Sequence, residues 1–208
     1  ATVLVLYVTD GGDWVASTPG GYYAASPGGE PLIGWRVGRG MNAMASYYPA
    51  TQFRRTLYRP DVIKRLLEDG SLESALAGAD AAGGREGRQV EVAEILPPKV
   101  AITSPKAGRT RIETASLAVE AIASNSGAHP LTALRLLLDG RPVPDGLKVI
   151  SGSSLDEGRG SWTVEMPQGR HTLAVQAESA VSKGVSERVE IVRGDEADAA
   201  KPSGTLYV

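Results

Sequence analysis

Between residues 99 and 191 apolar side chains recur at every second position, and this period is the tightest constraint the sequence places on its fold. Val100 and Ile102 alternate with Ala101 and Thr103. The same spacing returns in Leu117, Val119 and Ala121, in Leu134, Leu136 and Leu138, and in Trp162, Val164 and Met166. It continues through Leu173, Val175 and Ala177 and ends at Val189 and Ile191. Successive side chains of a strand point to opposite faces, so each segment buries one face and wets the other. Asp139-Gly140 follows Leu138 directly and is a two-residue hairpin signal, because a type I′ turn needs positive φ at both central positions. Six or seven such strands, separated by turn-forming clusters, predict an immunoglobulin-like β-sandwich. With no cysteine in the chain, its inter-sheet core rests on Trp162 and aliphatic packing.

The upstream part reads differently. Nine of the eleven aromatic residues fall in the first 58 positions, which places a change of architecture near residues 83–98. That stretch carries Gly83-Gly84, charged residues 85–88, a short alternation of Val90, Val92 and Ile95, and the pair Pro97-Pro98. A Pro pair favours an extended connector, whereas the alternation would suit an added strand. Residues 3–8 read as a buried strand, and residues 13–16, 21–24 and 32–37 complete an antiparallel meander of about four strands. Residues 41–48 suit a turn or two of helix. Pro60, Asp61 and the stripe Val62, Ile63, Leu66, Leu67 predict a helix ended by Gly70. Ser71 caps a second helix, with Leu72, Ala75, Leu76 and Ala79 on one face, which Gly83-Gly84 stops. The expected chain is therefore mainly β: a small α+β module at 1–95, an Ig-like sandwich at 96–194, and at 195–208 a linker with the start of a truncated strand.

Composition narrows the chemistry. Without cysteine there is no thiol nucleophile, thiolate metal site or disulfide framework. A net charge of -2 gives no field to gather nucleic acid or anionic membrane. No apolar run approaches the roughly 18–20 residues of a membrane span. His129 precedes a proline in a turn, and His171 stands at a strand end with no carboxylate at a ligand-like spacing in the sequence. The cluster Ser151-Gly152-Ser153-Ser154 lacks the frame of a nucleophile elbow. The glycine-rich stretch 34–40 fits neither dinucleotide nor P-loop patterns, and Arg193-Gly194-Asp195 is too short a match to carry weight. No catalytic, cofactor-binding or metal residue is expected. The cluster Arg54, Arg55, Arg59, Lys64 and Arg65, with Phe53 and Tyr58 interleaved, could stack single-stranded bases or dock a neighbouring domain, and the near-neutral chain favours docking. The candidate interface is Trp14, Tyr22, Tyr23, Trp35, Arg54, Arg55, Tyr58 and Arg59, although most of its aromatics would serve equally as core.

Three stretches carry a family resemblance. Asp13-Trp14-Val15-Ala16-Ser17-Thr18-Pro19-Gly20-Gly21-Tyr22-Tyr23, continuing to Ser26-Pro27-Gly28-Gly29 and Leu32-Ile33-Gly34-Trp35, resembles a segment of bacterial WD40-repeat proteins that carry a caspase-like peptidase domain. Tyr48-Pro49-Ala50-Thr51-Gln52-Phe53 and Tyr58-Arg59-Pro60 are similar to its continuation, and Pro97-Pro98 with Ile102-Thr103-Ser104-Pro105 to the opening of its Ig-like module. The resemblance implies an intervening region between a propeller and a protease whose Cys and His lie outside this chain. It implies as partners those flanking domains or their protein partners, with residues 2–9 as a last propeller strand. The start at Ala1 and the closing Leu206-Tyr207-Val208 read as an excerpt of a longer chain. The alternative expectation is a cell-surface Ig-like module that binds protein or glycan.

Overall fold

The computed structural model describes residues 3–38, 44–84, 90–150 and 156–194. The fold is mainly β, in two compact units: Ala1–Pro97 with Gly127–His129, and Pro98–Ser126 with Pro130–Val208. The expected linker at 195–208 and the serine cluster at 151–154 lie outside the described residues.

In the first unit, β1 (Val5–Val8), β2 (Trp14–Ser17) and β3 (Tyr23–Ala25) form an antiparallel sheet in that order. The fourth expected strand is not part of it. Gly34–Val37 (β4) instead pairs with Ser46–Pro49 (β5) as a separate two-stranded ribbon. This corrects the helical expectation for the described part of residues 41–48: Tyr47 and Tyr48 are strand formers, and Pro49 ends the segment. A 3-10 turn at Ala50–Phe53 leads into the short helix α1 (Arg54–Leu57), which the sequence reading did not anticipate. The next two helices follow expectation. In α2 (Pro60–Asp69) proline opens the helix, Val62, Ile63 and Leu66 are buried, and Gly70 closes it at φ 67. In α3 (Leu72–Gly83) the Ser71 side chain accepts a hydrogen bond from the Ser74 N–H, and Gly84 stands at φ 63. Val90, Val92 and Ile95 add no strand. Residues 92–95 turn, Ile95 is buried, and the Val90 N–H donates to the Tyr22 hydroxyl at 3.2 Å.

The second unit is a sandwich. One sheet has the order β11 (Glu157–Glu165), β8 (Ser116–Ser124), β6 (Lys99–Ser104). The other has the order β10 (Arg141–Val149), β9 (Leu131–Leu138), β12 (Gly169–Ser179), β14 (Val189–Arg193), β7 (Arg109–Ile112), with β13 (Lys183–Val185) also on β12. The first, second and fifth long strands thus share one sheet, while the third, fourth, sixth and seventh share the other, an immunoglobulin-like division. The first strand's continuation, β7, crosses to the second sheet and pairs in parallel with β14.

Val119, Leu134, Leu136, Leu173, Val175 and Ile191 fill the space between the sheets with Trp162. The Trp162 indole N–H donates to the Gly146 carbonyl at 2.9 Å, where the β10 register shifts between Pro142 and Leu147. The ring also lies over Gly160, where a Cβ would strike it. Asp139 (φ 50) and Gly140 (φ 77) form the expected left-handed turn between β9 and β10.

Candidate interaction surface

The proposed interface residues divide between interior and surface. Tyr22, Tyr23 and Arg59 are buried inside the first unit, which corrects their assignment as surface anchors. The Tyr23 hydroxyl donates to Glu30 Oε1 at 2.7 Å and lies 3.2 Å from the Ala50 carbonyl. Burial, with the Glu30 carboxylate beside it, pushes the Tyr23 hydroxyl well above its ordinary pKa. Tyr22 is also raised, chiefly by burial. Arg59 is clamped between the carboxylates of Asp61 and Asp80.

Around Tyr23 the aromatics meet at steep angles, Tyr58 edge to face and Trp35 tilted. Trp35 and Tyr58 have centroids 5.8 and 5.5 Å from it, and Phe53, fully buried, lies 5.0 Å from Trp35. Trp35 and Tyr58 are half-buried parts of this core. Arg54 covers the Tyr58 ring at 4.7 Å while pairing with Glu30 at 3.0 Å. The basic and aromatic cluster is therefore not a row of stacking platforms, because Phe53 points inward and Arg54 covers Tyr58. Arg54, Arg55 and Trp14 remain at the surface.

The sequence reading expected β1 to be buried, and this is overturned. Val5, Leu6, Tyr7 and Val8 are each between 52% and 63% exposed, and Val3 is 46% exposed. Among the described residues the strand pairs with β2 alone, which leaves its other edge open. Successive residues point to opposite faces, so both faces of β1 are apolar and uncovered. An apolar run without alternation is the pattern of a strand covered on both sides. The signal for cover was present in the sequence, but the described residues of the chain do not supply that cover.

The residues behind the family resemblance form a structural lock. Ser26 Oγ donates to Asp13 Oδ1 at 2.7 Å and accepts from the backbone N–H groups of Trp14 at 3.0 Å and Gly29 at 3.1 Å. A Cβ on Gly28 would strike the Asp13 carboxylate, and one on Gly29 the Trp14 carbonyl. The paired glycines therefore let the turn close on β2, and Ser26 has no imidazole partner that could activate it.

In the sandwich, a groove of 660 Å³ opens between β10 and β11, lined by Leu138, Pro142, Val143, Pro144 and Val164 with Asp139, Arg141 and Glu165 among its polar residues. Near it, His171 Nδ1 lies 2.7 Å from Asp139 Oδ2, and His171 Nε2 lies 3.1 Å from the Gln168 carbonyl. The sequence reading found no carboxylate for His171 because Asp139 reaches it from across the sheet. Among the described residues no group of three or more His, Asp or Glu side chains is placed to hold a metal ion. No described helix is long and apolar enough to cross a membrane.

No family model and no curated protein matches the chain. Two solved structures of the CARDB domain of the PF1109 protein from Pyrococcus furiosus are similar to it at 14% identity. One is a solution structure that covers 46% of this chain and 94% of that domain at a TM-score of 0.33. The other is a crystal structure in complex with di-metal ions that covers 49% and 97% at a TM-score of 0.34. Likeness at that level bears on neither function nor metal binding here.

Proposed function

We propose that this chain is a non-catalytic docking region whose first unit couples to a neighbouring β-rich domain through the open edge of β1. The observation that carries this reading is the exposure of Val5, Leu6, Tyr7 and Val8 on both faces of an edge strand. Natural edge strands are usually guarded by charge, proline or a bulge, and β1 has none of these. A strand that is apolar on both faces is fully covered only when another sheet continues it and side chains from that sheet's surroundings close over both sides. In the architecture implied by the family resemblance, the neighbour is a propeller on one side and a caspase-like peptidase on the other. The Ig-like unit then acts as the spacer that sets their relation and restrains the protease.

Binding of the chain to the separately purified propeller and peptidase domains, followed by titration calorimetry, tests the reading. Wild-type chain is expected to bind the propeller, and the double variant Leu6→Lys, Tyr7→Lys to lose at least tenfold in affinity. Equal affinity of the two chains, or no binding to either domain, overturns it. Peptide or ester hydrolysis by the isolated chain, removed by one Ser or Asp substitution, would also overturn it.

A further inference from the structure

His171 sits at the first turn-facing end of β12, on the inward side of the sheet, with its side chain only 18% exposed. Both ring nitrogens face acceptors. The partner of Nε2 is a backbone carbonyl, that of Gln168, which accepts and never donates. The partner of Nδ1 is the carboxylate of Asp139, which when ionised also only accepts. A neutral imidazole has one N–H and one lone pair, so it can satisfy one of these contacts and must oppose the other. Only the imidazolium donates to both.

Asp139 is more than a counter-ion. Its other oxygen, Oδ1, accepts from the Thr172 N–H at 2.8 Å and lies 3.3 Å from Thr172 Oγ1. Its backbone N–H donates to the Thr172 carbonyl at 2.8 Å. The residue also occupies the first left-handed position of the β9–β10 turn and lines the groove between β10 and β11. We infer that His171 and Asp139 form a pH-sensitive clasp, closed while the imidazole is charged, that fastens the tip of the β9–β10 hairpin to β12 and so fixes one wall of the groove. Loss of one ring proton removes the imidazolium charge and leaves a lone pair facing one of the two acceptors. The hold on the Asp139 carboxylate then weakens, and its contacts with Thr172 loosen.

The charged surroundings leave this pair to itself. On β12, Arg170 points to the opposite face of the sheet, where it meets Glu190 of β14 and Glu190 meets Arg109 of β7. From β14, Ile191 lies directly across from His171, and Arg193 is anchored through Nη1 to the Met166 carbonyl. Arg141 follows the turn on β10, and Glu165 ends β11. Among the described residues Asp139 is the one charged group within hydrogen-bonding distance of the His171 ring. Partial burial by itself would lower the His171 pKa, but the bonds to Asp139 and Gln168 outweigh it and leave the group above its ordinary value.

Nitrogen-15 NMR of the imidazole rings, recorded with amide exchange across a pH series on the full chain, tests the clasp. The His171 midpoint is expected to lie above that of a free imidazole, with both ring nitrogens protonated below it, and protection of the Thr172 amide to fall several-fold as His171 titrates. Asp139→Asn keeps a residue that tolerates the left-handed turn and removes the charge. It is expected to lower the His171 midpoint and to abolish the pH dependence of Thr172 protection. A His171 midpoint at or below that of a free imidazole, or Thr172 protection that does not follow the His171 titration, overturns the inference.

Discussion

Arg59 Nη2 lies 2.8 Å from Asp80 Oδ1, joining the start of α2 to the buried face of α3. The same guanidinium holds Asp61 through Nε at 3.0 and 3.1 Å and through Nη2 at 2.8 Å, while the Arg59 N–H donates to the Tyr23 carbonyl. One residue thus ties both helices to β3. Its hydrogen bonds with the two carboxylates outweigh the effect of burial and hold the guanidinium charged. Asp80→Ala leaves that charge with Asp61 alone, and loss of one partner of a buried pair costs about 3 kcal/mol. The urea midpoint of the first unit's transition is expected to fall accordingly. The double variant Arg59→Met, Asp80→Leu should recover most of the loss, because it removes the charge together with its need for a partner. A double variant no more stable than Asp80→Ala would mean that the Arg59 contacts to Asp61 and β3 dominate.

Trp162 takes the place at the centre of the sandwich that a disulfide often occupies. Replacing it with Phe removes the hydrogen bond to Gly146 and leaves the carbonyl of the β10 bulge without that donor, a loss of about 1–3 kcal/mol. Gly160→Ala acts on the same ring from the other side. The new methyl meets an indole that is only 6% exposed and has no free space to turn into. Overpacking of this kind costs about 1–3 kcal/mol. Combining the two substitutions should give less than the sum of the single losses, since the smaller ring relieves the clash. Thermal unfolding of the four chains checks this.

The sandwich was legible because most of its long strands are half-buried, and burial on one face imposes the two-residue period that Leu134, Leu136, Trp162, Val164, Leu173 and Val175 display. Its short strands were not. Arg109–Ile112 has four residues with charged side chains at positions 109 and 111, and its pairing partner lies far along the chain. Periodicity carries no information about such a parallel contact. In the first unit Tyr22 and Tyr23 were placed on the wrong side, whereas Trp14 stands at the surface. Tyr22 and Tyr23 look like interface anchors in sequence because an aromatic cluster inside a small core has the same composition as one on a surface. Asp80 offered a readable clue, since it falls one turn after Leu76 on the apolar face of α3. A carboxylate on that face requires a buried cation, and Arg59 is that cation.

The clasp in the sandwich gives stability a pH dependence whose sign follows from two shifts. The His171 pKa is raised, so its contribution is complete below the unfolded value of about 6.5 and is lost as pH rises through the folded value. For Asp139, burial pushes the carboxyl up, but the bonds from His171 and Thr172 outweigh this and leave it below its usual range. Its contribution is present above about pH 3.9 and is lost as pH falls through the folded value. The pair therefore stabilises most between about pH 4 and 6.5. Because the Asp139 side chain is 48% exposed, solvent screening keeps the effect below about 1 kcal/mol. The difference in urea midpoint between wild type and Asp139→Asn is expected to be larger near pH ~5.5 than near ~8.5. Equal differences at both pH values would show that no charged pair is involved.

The open edge of β1 predicts that stability and association will respond separately to substitution. Leu6 and Tyr7 are 63% and 58% exposed in the chain by itself, so replacing either with Lys removes little buried area. The change in stability should stay within about 0.5 kcal/mol, as at other surface positions. Self-association should respond strongly, because an uncharged apolar edge pairs with any compatible strand, including another copy of itself. Sedimentation velocity of the wild-type chain is expected to show oligomers growing with concentration, and Leu6→Lys, placed in the middle of the edge, to return the chain to monomer. Val15→Lys provides the contrast. Its side chain is buried on β2, at 3% exposed, so the charge should unfold the first unit instead of merely blocking its edge. If Leu6→Lys destabilised the chain as much as Val15→Lys does, β1 would be covered in solution and unable to serve as a docking edge.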